Sequence, residues 1–95
     1  MHKLLDIGDV FESKEHGTII VGVNSELNTL SHPEIKSSIG DDIVLRTPDN
    51  KELDLRVISV QVSNSLIDRK TIGICVGKSL VPSDIPMGSE VYLRT

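Results

Sequence analysis

The chain has 95 residues, 38% hydrophobic and 25% charged, which predicts one globular domain with a single modest core and argues against a disordered chain. A net charge of −4 opposes generic binding to phosphate backbones. No apolar run approaches the roughly 20 residues of a membrane-spanning helix, and the single Cys75 excludes internal disulfides and metal sites built on cysteine pairs. The start, Met1 to Asp6, has no apolar stretch of signal-peptide length, so the expected compartment is the reducing cytoplasm.

The apolar residues are of an unusual kind: 11 Ile, 10 Val and 10 Leu, with no Ala and no Trp. β-Branched side chains suit a pleated surface, and a chain without the best helix former reads as all-β. In chain order, Asp9 to Ser13 is a short strand and Lys14-Glu15-His16-Gly17 its turn. Thr18 to Val23 is a second strand with Ile19, Val21 and Val23 on one face. Asn24 to Ile39 is a polar connection with room for one short helical turn, capped by Ser31 ahead of Pro33. Ile43 to Thr47 is a third strand, and Pro48-Asp49-Asn50-Lys51 the clearest turn. Glu52 to Ser63 reads as one long strand whose alternation slips by one residue at Val57-Ile58, which predicts a bulge or a sharp corner. A turn at 65–69, a strand Thr71 to Val76, a proline-bearing loop Leu80 to Gly88 and a strand Glu90 to Arg94 complete the chain.

The sequence also repeats itself. Ile39 to Thr47 aligns with Met87 to Thr95, with Gly, Leu, Arg and Thr identical, and Thr18 to Val23 aligns with Thr71 to Val76. Six short strands must manage their edges, so the expected fold is a small closed six-stranded antiparallel barrel, Greek-key-like, with two pseudo-symmetric three-strand halves; an open sandwich is the alternative. The predicted core is Ile19, Val21, Ile43, Leu45, Leu55, Ile72, Ile74, Val91 and Leu93.

The run Thr18 to Val23, Ile39-Gly40-Asp41-Asp42-Ile43-Val44-Leu45, Leu53 to Val62, Ile72 to Val76 and Gly88 to Val91 resembles the second-domain β-barrel of translational GTPases of the elongation factor Tu type. The resemblance implies a six-stranded Greek-key barrel. It implies no nucleotide binding, since the chain has no Gly-rich phosphate loop with Lys-Ser/Thr, and no functional residue is carried over.

No pattern of catalytic chemistry emerges. His2, His16 and His32 have no ligand spacing, Cys75 has no base nearby in sequence, and the carboxylates Asp41, Asp42, Asp49, Asp54 and Glu90 lack the alternation of a calcium loop. Gly73, Gly77 and Gly88 either serve tight bends or let a ligand approach closely. Tyr92 shares parity with Arg94 and is expected on the outer face, with Arg46 as the repeat-related mate of Arg94. Exposed Tyr beside Arg is the chemistry of interface anchors. The expected function is therefore a non-enzymatic protein-binding module, an adaptor or an inhibitor of immunity type, with Tyr92, Arg94 and Arg46 as binding residues and no cofactor or metal. The alternative is a translation- or nucleic-acid-associated barrel, which requires Arg46, Arg56, Arg69 and Arg94 to gather on one face. The oligomeric state is left open, and no membrane role is expected.

Overall fold

In a computed structural model, which describes residues 2–64, 70–78 and 80–94, seven strands form one antiparallel sheet. They are β1 (His2–Ser13), β2 (Gly17–Val23), β3 (Asp42–Arg46), β4 (Glu52–Arg56), β5 (Ser59–Asn64), β6 (Lys70–Gly77) and β7 (Glu90–Leu93). The order across the sheet is β4-β3-β7-β1-β2-β6-β5. The fold is thus all-β, but with seven strands, and no ladder joins β4 to β5, the first and last strands in that order. The expected turn at 65–69 lies outside the described residues.

The slip at Val57-Ile58 is where one strand becomes two. β4 pairs with β3 and β5 pairs with β6, so these two residues carry the chain from one end of the sheet order to the other. The Val57 N–H donates to Asp41 O at 2.8 Å, and the Ile58 N–H donates to Cys75 O at 2.8 Å. Two residues reach only about 10 Å from Arg56 to Ser59, whereas seven flat strands at about 4.8 Å spacing would put the ends nearly 30 Å apart. The sheet must therefore curl enough to bring the end of β4 close to the start of β5 at this corner, although no ladder joins them.

β1 is longer than the sequence suggested, because its first half pairs with β7 and its second with β2. Its register shifts twice, between Lys3 and Leu5 and between Ile7 and Asp9. The first shift lets the consecutive Leu4 and Leu5 both be buried, which period-two alternation forbids. β1 and the segment 52–64 play equivalent parts. Exchanging β1 with β4–β5, β2 with β6 and β3 with β7 leaves every pairing unchanged. Between β3 and β7 the local two-fold passes through the Val44–Tyr92 pair, and exchanges Ile43–Leu93 with Val91–Leu45. This is the register of the repeat in the sequence. For β2 and β6 the sequence alignment is one residue out of phase, since it equates outward Ile19 with inward Ile72.

The core holds Leu4, Leu5, Ile20, Ile35, Ile39, Ile43, Leu45, Ile72, Ile74, Val76, Ile85 and Val91. Five of the nine predicted core residues are fully buried here, and Leu55 and Leu93 are half-buried against the cluster. Ile19 and Val21 are corrections. They share a face, as expected, but it is the outer one, and Ile20 with no exposed surface is the inward residue of β2. β2 is apolar on both faces, so alternation cannot tell in from out. Its inward positions Thr18 and Gly22 look unlike a core. The Thr18 hydroxyl is satisfied by donating to Leu80 O, and Gly22 is small because β1 crosses it closely.

The connection after β2 contains a 3-10 turn (Ser25–Leu27) and one helix, α1 (His32–Ile39). Ser31 caps α1 by accepting from the Glu34 N–H at 3.3 Å, while the Glu34 carboxylate accepts from the Ser31 N–H, a capping box with Pro33 in the first turn. Ile35 and Ile39, four residues apart, lie on one helix face and enter the core.

The turn at 48–51 is as expected, with Asn50 at φ 66°. The Asp49 carboxyl is held below the usual carboxylate range, chiefly because it accepts from the Thr47 hydroxyl and secondarily through its backbone hydrogen bond and nearby Lys51. A lowered folded-state pKa gives stability that is present above the ordinary carboxylate pKa and lost as pH falls through the lowered value. Asp49→Asn should therefore melt below wild type at pH 7, with the gap narrowing as the pH is taken below the carboxylate range. Thermal melts of both proteins across that range check this; a constant gap refutes it.

Candidate functional site

The curled sheet has two outer surfaces of opposite character. The first lies on β4-β3-β7 and the start of β1. Tyr92 stands opposite Val44 on one side and Lys3 on the other, and Arg46 opposite Glu52 and Glu90. The structure brings Tyr92 and Arg46 together: the guanidinium carbon lies 4.6 Å from the ring centroid. This is a cation–π contact. Arg94, at the end of β7, pairs with Asp54, which faces Val44 across β3–β4. The three sequence-predicted binding residues thus lie on one face, with Tyr92 half-buried and Arg94 exposed.

Their charges are already matched. Arg46 holds Glu52 at 2.6 Å, and Lys3 holds both Asp6 and Glu90 at 2.6 Å. The Tyr92 hydroxyl donates to Glu90 at 3.3 Å. The Lys3 ammonium is held above its ordinary range, first by the hydrogen bond to Asp6 and then by that to Glu90. The Arg46 guanidinium is raised likewise, first by Glu52. Arg56 sits opposite Asp42 in the β3–β4 ladder. Every described arginine of this face therefore has a carboxylate beside or opposite it, and no basic stripe forms; Arg69 lies outside the described residues.

The second surface is the outer face of β1-β2-β6-β5. A groove of about 160 Å³ runs there with Ile19, Val21, Gly73 and Cys75 in its floor and Phe11 and Gln61 at its sides. Phe11, the only phenylalanine, is 46% exposed, and Val23 on the same face of β2 is 51% exposed. Among the described residues lining the groove there is no Asp, Glu, Lys or Arg. The remaining lining side chains are the hydroxyls of Ser59, Ser63 and Thr71 and the imidazole of His16. Cys75 is buried, and its thiol donates to His16 O at 3.0 Å, which makes it part of the floor. Sequence reasoning missed this surface because it assigned Ile19 and Val21 to the core. The signal was present in the unbroken apolar run Ile19-Ile20-Val21, which no single face can hold.

A wider, more polar hollow of about 600 Å³ opens beside Lys3, Asp6, Asn24 and Glu26. Asn24 there donates to Leu4 O at 2.5 Å and caps the Ser25–Leu27 turn, so its amide has a structural task. Among the described residues no three His, Cys, Asp or Glu side chains cluster as metal ligands, and no helix is long and apolar enough to cross a membrane.

These observations define an all-β domain with one charge-matched outer face and one outer face that carries an apolar groove, with exposed Asp9 beside it opposite Val21. Comparison of the chain with protein-family models, with curated proteins and with solved structures finds no match.

Proposed function

We propose that the chain is a non-enzymatic protein-binding module, an adaptor or an inhibitor of immunity type, built on a six-stranded barrel in which 52–64 acts as a single strand bent at Val57-Ile58. The observation that carries the reading is the uncharged apolar groove beside half-exposed Phe11, on a chain a quarter of whose residues are charged. Depletion of charge with an aromatic at hand is the composition of an interface centre. The net charge of −4 steers basic partners to the domain from a distance, and the groove docks them at contact.

Tyr92, Arg46 and Arg94 are the proposed polar contact surface. Because their charges are matched within the chain, a partner there must meet mixed charge. The alternative, a translation- or nucleic-acid-associated barrel, has the resemblance of the strands to support it and the balanced arginines against it. Capture of partners from native lysate, followed by calorimetry on a purified partner, tests the reading. Phe11→Ala and Tyr92→Ala are each expected to weaken binding by more than about 1 kcal/mol, the usual mark of an important interface residue. A Tyr92→Ala protein that melts lower yet binds fully would make Tyr92 a packing residue. A captured partner that is nucleic acid, released by moderate salt, would overturn the reading in favour of the alternative.

A further inference from the structure

Of the glycines in β-strands, Gly73 alone is left without a use inside the chain. Gly17 and Gly77 have φ of 82° and 85°, where a side chain is strained. Gly22 has Asp6 O only 2.3 Å from where its Cβ would be, and Gly8 falls at the register shift of β1. Gly73 has no positive φ, and a Cβ there would meet only Ile19 Cγ2 at 3.6 Å and Gln61 O at 3.8 Å, which are ordinary contacts. A glycine in the middle of a strand weakens it unless another group must come close. What this glycine does is keep the groove open, between Val21 and Gln61.

We propose that the groove over Gly73 is a docking site for one aromatic side chain carried by an uncharged segment of a partner protein. The inference rests on the protein-binding reading and names the surface and the chemistry it recognises. Three observations select this occupant. A space of about 160 Å³ matches a single phenyl ring, since an apolar cavity of about 150 Å³ accepts benzene. The lining has an apolar floor, hydroxyl and amide sides and the His16 imidazole, with no Asp, Glu, Lys or Arg, so a charged side chain seated in it would be desolvated without a carboxylate, ammonium or guanidinium partner. Four strands of about seven residues each give a face of roughly 450 Å², well under the ~800 Å² per partner of a stable dimer. A second copy of this chain is therefore too large an occupant for this face alone.

The test is a titration of the isotope-labelled full chain with N-acetyl-phenylalaninamide, read by backbone amide shifts, with N-acetyl-alaninamide as the control. Saturable shifts are expected at Val21, Gln61, Gly73 and Cys75, with a millimolar dissociation constant and none from the alanine probe. Gly73→Val, which fills the groove, should weaken binding at least tenfold while keeping a dispersed spectrum. Gly73→Ala should weaken it less and guards against a valine that disturbs the strand. Shifts absent or spread over the surface, equal shifts from both probes, or undiminished binding by a folded Gly73→Val protein would overturn the proposal. So would movement of the same amides on simple dilution, which would make a second copy the occupant. If a purified protein partner moves the amides around Tyr92 and leaves these still, the groove assignment fails and the protein-binding reading stands. If a protein partner binds and moves neither set, both surface assignments fail; if no protein partner binds at all, the protein-binding reading fails with them.

Discussion

Ile43→Ala should lower the free energy of unfolding by about 2–5 kcal/mol, the range for truncating a buried aliphatic side chain, whereas Ile19→Ala should cost under about 1 kcal/mol. Ile43 has no exposed surface, and lies between Leu55 on β4 and Leu93 on β7 at the centre of the inner layer. Its removal leaves a void that a strand paired on both sides cannot collapse to fill. Ile19 lies on the outer face, already partly in water, and truncation there opens no enclosed cavity. Leu93→Ala should fall between the two, since Leu93 is half-buried. Urea midpoints with unchanged slopes measure all three. An Ile19→Ala protein as unstable as Ile43→Ala would mean that β2 is turned the other way, and the groove would go with it.

How far the sequence revealed this fold depended on whether a local signal could settle a face or a pairing. Turn chemistry could: Pro48-Asp49-Asn50-Lys51 closes β3 onto β4, and Gly17 ends the turn between β1 and β2. The phase slip at Val57-Ile58 was legible for the same reason, because one backbone cannot keep alternating and turn a corner at once. Alternation failed where a strand is apolar on both sides, as in β2, and where a register shift breaks the period, as at Leu4-Leu5. The repeat revealed that β3 and β7 correspond, but it gave no sign that they pair with each other. Of the candidate site, Tyr92, Arg46 and Arg94 were legible from parity and repeat. Of their carboxylate partners, Glu52 faces Arg46 across the tight 48–51 hairpin and was within reach of the sequence, whereas Glu90 and Asp54 come to Arg46 and Arg94 only through non-local packing. The sequence signalled only an outward apolar residue on β2, through the run Ile19-Ile20-Val21; the groove itself was not legible, because it exists only once Phe11, Val21 and Gly73 from three strands come side by side.

Gly22→Ala and Gly73→Ala should have effects of opposite sign, although Gly22 pairs with Ile72, the neighbour of Gly73. At Gly22 a Cβ would lie 2.3 Å from Asp6 O and 2.6 Å from Leu5 Cδ1. The leucine tip can rotate, but Asp6 O belongs to the backbone of β1, held where its pairing passes from β7 to β2. Relief would require β1 to move off β2 at the crossing. Overpacking of this kind costs about 1–3 kcal/mol and more where backbone must shift. For a domain of this size each kcal/mol is roughly 4–8 °C of melting temperature, so Gly22→Ala should lose about 10 °C or more. At Gly73 the added methyl finds ordinary contacts and the unfolded chain loses freedom, which together favour the folded state by about 0.4–1 kcal/mol. Its melting temperature should rise by a few degrees. Paired melts decide the matter: a Gly73→Ala protein that melts as low as Gly22→Ala would show that the fold itself demands this glycine, and the openness of the groove would then be a by-product of strand packing.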